Sequence, residues 1–266
     1  MTRLLLLCSA ALLCSCASAP VVDHPDLLAG RGYADDAGVI GDGGAEEDAY
    51  GAPRMHELLS RALAEANDAL LQVGHVERFN PAVRYLFTHV RRPLFIEAHR
   101  LSGFKNRATD VDVVLDLMIH DIDIILNIVK SDISEMRVSG TPVLTQSPDI
   151  ANARLEFENG CVANVTASRV SAKTERKMRI FQHDAYISVD FHNRVLNVYK
   201  KGDKEMLPGI PEIVSEESTY ENNDALNLEI IAFLDSIQNG TPVIVSGEDG
   251  RRALDAAIQI SALLKD

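Results

Sequence analysis

Between Val111 and Val129 nearly every position is apolar, while Asp112, Asp116, His120, Asp123 and Asn127 fall within about 80° of one another on a helical wheel. The pattern predicts a buried helix with one polar stripe, the inverse of a surface helix, which carries a narrow apolar face under a broad charged one. Carboxylates and an imidazole aligned on such a helix point to the wall of an active site. Thr109, with Asp112 three positions on, has the arrangement of an N-cap and sets the expected start of this helix.

The remaining periodicity divides the chain in two. Arg54 to Asn67 reads as a helix leading into a short apolar strand, Ala69 to Gly74, and Pro81 opens a helix that continues to His89. Pro93 to Ala98 is a strand. After Ser131 the character turns to β: Met136 to Ser139, a hairpin of Ile150 to Glu158 and Cys161 to Val170 about Asn159-Gly160, then Lys177 to Gln182, Tyr186 to Phe191 and Val195 to Lys200. A two-residue turn at Asn159-Gly160 pairs Phe157 with Val162 and Leu155 with Asn164, which leaves neither face of the hairpin cleanly dry or wet. Helices on one side and a second subunit on the other are therefore expected. Two helices close the chain, Ala225 to Gln238 and Asp249 to Leu264, the second opened by Ser246. The fold class is α+β: an open, mostly antiparallel sheet with helices on one face, preceded by a remnant helix and strand.

Composition adds three constraints. A net charge of -13 without any clustered basic stripe argues against nucleic acid or an anionic membrane surface as partner. Asp23 to Tyr50 holds eight acids against Arg31, with Gly30, Gly32, Gly38, Gly41, Gly43 and Gly44, and reads as a linker over residues 20–52. Cys8, Cys14 and Cys16 lie near the start and Cys161 stands alone later, so the folded part has no internal disulfide. Residues 1–19 read as a signal-like leader, Arg3 followed by Leu4 to Leu13 and then Cys14-Ser15-Cys16, with Cys16 as the lipidation candidate. Two readings of that start stay open: an envelope lipoprotein, or a misassigned gene start, in keeping with an Ala-rich opening and no lysine before Lys105.

Three segments together resemble the Gfo/Idh/MocA oxidoreductases: Gly74-His75-Val76-Glu77-Arg78-Phe79-Asn80-Pro81; Asp116-Leu117-Met118-Ile119-His120-Asp121-Ile122-Asp123; and Gly240-Thr241-Pro242 through Gly247-Glu248-Asp249-Gly250-Arg251-Arg252-Ala253. Within the family, Leu71 to Pro81 and Asp110 to Asp123 look most like the UDP-N-acetylglucosamine 3-dehydrogenase branch. The resemblance implies an N-terminal Rossmann domain for NAD or NADP, of which residues 53–74 would be the remnant end. It also implies a C-terminal domain over 75–266 that carries substrate contacts and associates into a homo-oligomer through its sheet. It makes Asp116 and His120 the pair flanking the reacting sugar carbon. A histidine one helical turn from a carboxylate can be oriented and tuned as a base for a sugar hydroxyl.

The chain also departs from that pattern. Gly38-Val39-Ile40-Gly41-Asp42-Gly43-Gly44-Ala45-Glu46 has Glu46 where a third glycine is needed, and too few residues follow it for a complete nucleotide domain. Ala52-Pro53-Arg54 stands near the place of the family's Glu-Lys-Pro motif. NAD or NADP is thus expected of the family but not bound by this chain. Glu77, Arg78 and Asn80 follow a strand end and are candidates for sugar binding, or else an ion pair and an Asn-Pro turn. Arg100 and Arg107 are candidates for a sugar-nucleotide diphosphate. A metal site of Asp116, His120 and Asp123 is a weaker alternative, since one helix closes it poorly. Two function classes follow. One is a truncated sugar oxidoreductase, inactive alone, cytoplasmic as in the family. The other is a non-catalytic envelope lipoprotein that uses the sheet domain for sugar binding or self-association and touches the membrane through a lipid on Cys16.

Overall fold

The computed structural model describes residues 5–9, 60–105, 111–221 and 224–265, with the backbone alone for 5–9. Cys16, the acidic glycine-rich linker, the Gly38 to Glu46 run, Arg107 and Thr109 lie outside the described residues. The elements in chain order are β1 (Leu5–Ser9), α1 (helical over 60–66), β2 (Leu70–Gly74), a 3-10 turn (Val76–Phe79), α2 (Pro81–His89), β3 (Phe95–Leu101), a π-helical turn (Val114–Met118) continuing into α3 (Ile119–Val129), β4 (Ile133–Thr141), β5 (Ile150–Phe157), β6 (Val162–Ser168), β7 (Glu175–Phe181), β8 (Ala185–Asp190), β9 (Val195–Leu207), β10 (Ile210–Thr219), α4 (Ala225–Asn239) and α5 (Gly247–Leu263).

Eight strands form one open sheet in the order β10-β9-β8-β7-β3-β6-β5-β4. Only β3 and β6 run parallel within it, so the sheet is mostly antiparallel, as the sequence predicts. Its alternation is cleaner than expected. The hairpin pairs Leu155 with Ala163 and Glu156 with Val162, one residue away from the predicted register. The turn spans Glu158, Asn159 and Gly160, with Phe157 N–H donating to Cys161 O at 2.9 Å. Gly160 takes φ +83°, whereas Asn159 is not among the residues of positive φ, so this is a three-residue turn ending in a left-handed glycine and not the two-residue turn. A slip of one residue exchanges the faces. Ala153, Leu155 and Phe157 therefore join Ala163, Val165 and Ala167 in the core, and Arg154 and Glu156 join Asn164 and Thr166 on the open side.

The core lies between the sheet and helices α2, α3 and α5, with Ile96, Ile122, Ile125, Leu155, Met178, Ile180 and Ile187 fully buried. Strand β9 runs past the Lys200 end read from the sequence, with Gly202 inside it and its backbone close against Val214 and Glu212 of β10. The sequence signal for these two strand ends is weak because most residues of both are exposed.

Residues 5–9, read from sequence as part of an apolar leader, form a strand that pairs parallel with β2. Strand β2 is fastened to the C-terminal helices. Val73 donates its N–H to Val245 O, Gln72 Nε2 donates to Glu229 O, and Val73 with Phe79 and Val245 makes a small second core under α4. A Cβ on Gly250 would stand 2.8 Å from Val73 Cγ2, so helix and strand touch there because α5 carries no side chain.

Candidate active site

Asp112 opens the striped helix, its Oδ1 accepting from Val114 N at 2.9 Å and Leu115 N at 3.1 Å. This corrects the role expected of it, a first-turn acid behind a Thr109 cap. The wide turn that follows sets the phase of the helix before α3 begins. Asp121 and Asp123 are each 1% exposed, and lie on roughly opposite sides of α3. Such burial requires partners, and each carboxylate grips one arginine by both oxygens.

Asp123 accepts from Arg78 Nε at 2.7 Å and Nη2 at 2.6 Å. Asp121 accepts from Arg100 Nε at 2.9 Å and Nη2 at 2.8 Å, and Arg100 Nη1 reaches Glu77 Oε1 at 2.9 Å. The helix is thereby locked to the turn after β2 and to the middle strand of the sheet. Burial alone would push the Glu77 carboxyl up, but the charge and hydrogen bond of Arg100 and the charge of Arg176 hold it below its ordinary value. Burial likewise opposes the charge on Arg100, and Asp121 and Glu77 more than restore it.

His120 projects into this network. The residue is half-buried, and its Nδ1 is sealed from solvent without a hydrogen-bond partner. Burial, then the positive charge of Arg100 and the neighbouring His75, push its pKa down to about 3 against the pull of Glu77. His75 stands edge-on to it, ring centroids 6.3 Å apart, with its own Nδ1 equally sealed and unpartnered. Its Nε2 is 3.8 Å from Asp123 Oδ1.

Residues 82–188 match the model of the GFO/IDH/MocA C-terminal domain. The chain is 41% identical over 199 residues to UDP-N-acetylglucosamine 3-dehydrogenase of Acidithiobacillus ferrooxidans, an alignment covering 74% of this chain and 63% of that protein. A solved structure of that enzyme superposes with a TM-score of 0.74 at 38% identity, covering 80% of this chain and 68% of the other. The chain belongs to the GFO/IDH/MocA family. The fold extends to distant relatives, among them scyllo-inositol dehydrogenase from Lactobacillus casei with bound NAD(H) and scyllo-inositol, at a TM-score of 0.60 and 18% identity over 80% of this chain and 67% of that one.

Within this GFO/IDH/MocA domain the candidate residues separate into scaffold and cleft. Asn80 is a helix cap, 7% exposed: its Oδ1 accepts from Ala82 N at 3.1 Å and its Nδ2 donates to Phe191 O at 3.1 Å, so both ends serve the fold. Arg78 is 4% exposed and taken by Asp123, with Asp249 3.5 Å away. Arg100, expected on a diphosphate, is 3% exposed and holds Asp121 and Glu77 instead. Glu77 lies between arginines. Asp116 lines a small surface cleft with Arg100, Leu101, Ser102, Gly103, Lys105, Leu117, Arg169 and Arg176. It does not orient His120 through Nδ1, and the groups that set the His120 titration are Arg100, His75, Glu77 and Arg176.

The expected list lacked Asp121, His75, Arg176 and Lys105. Asp121 could have been found as a second charge on an otherwise apolar helix, off the stripe and therefore in need of its own buried cation. His75, Arg176 and Lys105 carry no local signal.

The glycines flanking β2 do not fit a nucleotide cofactor. Gly247 and Gly250 are filled by Arg61, Leu71 and Val73, and β2 passes directly into the Val76–Phe79 turn.

Proposed function

We propose that this chain is the substrate half of an NAD(P)-dependent sugar-nucleotide oxidoreductase of the UDP-N-acetylglucosamine type, and that it does not turn over by itself. The observation that carries this reading is His120: a neutral imidazole with a sealed, unpartnered Nδ1, set between Arg100, Glu77 and His75 and one turn from Asp116. Oxidation of a sugar alcohol requires a group to take the hydroxyl proton, and in this reading His120 accepts it. The relationship to UDP-N-acetylglucosamine 3-dehydrogenase supports a sugar nucleotide of that class as the substrate.

The chain spans 63% of the length of its curated relative. What supports the reading of inactivity alone is that, among the described residues, Gly247 and Gly250 pack against Arg61, Leu71 and Val73 and leave no room for a pyrophosphate.

Self-association through the open face is part of the same proposal. Phe95, Phe181, Tyr186 and Tyr199 form one row across four strands, the Phe181–Tyr186 and Tyr186–Tyr199 rings stacked at 4.9 Å and 5.2 Å. Such a row makes a flat surface of low entropy cost, suited to a second copy.

Calorimetric titration of the purified chain tests the reading. UDP-N-acetylglucosamine binds and NAD(H) does not. Appearance of NADH when the chain alone is mixed with NAD and UDP-N-acetylglucosamine would show it to be complete, and absence of sugar-nucleotide binding at millimolar concentration would remove the substrate assignment.

A further inference from the structure

Three arginines gather where β3 and β6 end and β7 begins, and they are not equally satisfied. Arg169 donates from Nε to Asp149 Oδ1 at 2.8 Å and from Nη1 to Val111 O at 2.8 Å, and Asp149 is fully buried behind it. Arg100 is matched by Asp121, also fully buried. Those two carboxylates face the protein interior.

Arg176 differs. It sits directly opposite Arg100 across the β3–β7 pair, a like-charge juxtaposition that costs free energy unless an anion lies between. Glu77 provides that anion incompletely: the same Oε1 that accepts from Arg100 Nη1 at 2.9 Å is 3.4 Å from Arg176 Nη1. The Arg176 side chain is 42% exposed into the cleft beside Asp116. Lys105 lines the same cleft, and among the described residues it makes no ion pair. The cleft therefore presents one under-satisfied guanidinium fork and one ammonium without an ion pair among the described residues, with Asp116 as the carboxylate on its wall. A ligand with several anionic oxygens would relieve the Arg100–Arg176 repulsion and occupy the donors that Glu77 leaves open.

We propose that Arg176 and Lys105 form a phosphate subsite in this cleft and take the diphosphate oxygens of the sugar nucleotide. The assignment rests on the proposed substrate class. It replaces Arg100 in that role, and it sets the ligand beside Asp116 on the cleft wall. The competing source of the same chemistry is the pyrophosphate of NAD(P).

Calorimetric titrations of the full chain with UDP, UDP-N-acetylglucosamine and NAD, at low and moderate salt, test it. For the wild type we expect UDP and UDP-N-acetylglucosamine to bind, more weakly as salt rises. Arg176→Ala should raise both dissociation constants at least about tenfold, Lys105→Ala by several-fold, and Arg176→Lys should recover part of the loss, because it keeps the charge without the fork. Lys105 lies in an exposed loop, so its variant reports on binding even if Arg176→Ala fails to fold. Unchanged UDP affinity in both variants overturns the subsite, as does a wild type that binds neither ligand. NAD binding that depends on Arg176 while UDP binding does not overturns the assignment to substrate. If UDP binding needs Arg176 but UDP-N-acetylglucosamine binds no better than UDP, the subsite stands and the sugar reading falls. If UDP-N-acetylglucosamine binds without needing Arg176, the sugar reading stands and the subsite falls.

Discussion

Along β3 the helix-covered face changes its means of cohesion within two residues. Ile96 and Ala98 are fully buried among apolar neighbours, whereas Arg100, 3% exposed, is held by Asp121 and Glu77. The middle of the sheet is closed by volume, and any side chains of the right shape would serve. The end that bears the candidate site is closed by partners, and each charge there is tolerable only while its counter-charge remains. The sheet middle thus supplies stability, and the charged end supplies a fixed geometry around His120.

The sharpest way to break this contrast is to orphan a buried charge. Asp121→Ala should cost about 3–5 kcal/mol in urea unfolding, and adding Arg100→Met with Glu77→Gln, so that no charge of the cluster is orphaned, should recover part of it. A loss below about 1 kcal/mol for the single change would show that the charged end is not closed by pairing. In the sheet middle, Leu155→Ala should cost about 2–5 kcal/mol with no rescue from any second site, since what is lost is contact and a cavity remains. Gly250→Ala probes the fastening of β2. Crowding against Val73 should cost about 1–3 kcal/mol, offset by up to about 1 kcal/mol of helix propensity, and hydrogen exchange should quicken at β2 before the eight-stranded sheet.

The smallest effect is on pH dependence. His75 and His120 both have folded-state pKa values below the ordinary 6.5, so the unfolded chain binds protons there before the folded one does. Stability conferred by the neutral rings is complete above 6.5 and declines as the pH falls below it, ahead of the carboxylates. Thermal midpoints should drop by a few degrees over that window, and His120→Asn should flatten the decline. A profile unchanged by His120→Asn would place that ring in solvent, outside the charged end.

Much of the fold was legible because it is local. The polar stripe placed the buried helix, Asn159-Gly160 placed a hairpin, Pro81 opened α2, and Ser246 opened α5 with a reciprocal cap to Asp249. The turn type at Asn159-Gly160 was not legible. Both the two-residue and the three-residue turn suit that dipeptide, and only packing against α3 chooses the one that puts Leu155 with Ala163 and Val165 in the core. The site was legible in kind but not in its pairings. The sequence placed carboxylates and an imidazole on one buried helix, yet it could not say that Arg78, Asn80 and Arg100 are scaffold while Arg176 opens to the cleft.

By itself, then, the sequence determined which segments are helix or strand, which face of each is apolar, and that α3 must carry buried charge. These follow from periods and caps a few residues long. The tertiary structure decided the strand register, the parallel contact of β3 with β6, and which arginine meets which carboxylate. Those depend on groups far apart in the chain, such as Arg78 with Asp123 and Arg176 with Glu77, whose distances are set only when the sheet closes under the helices.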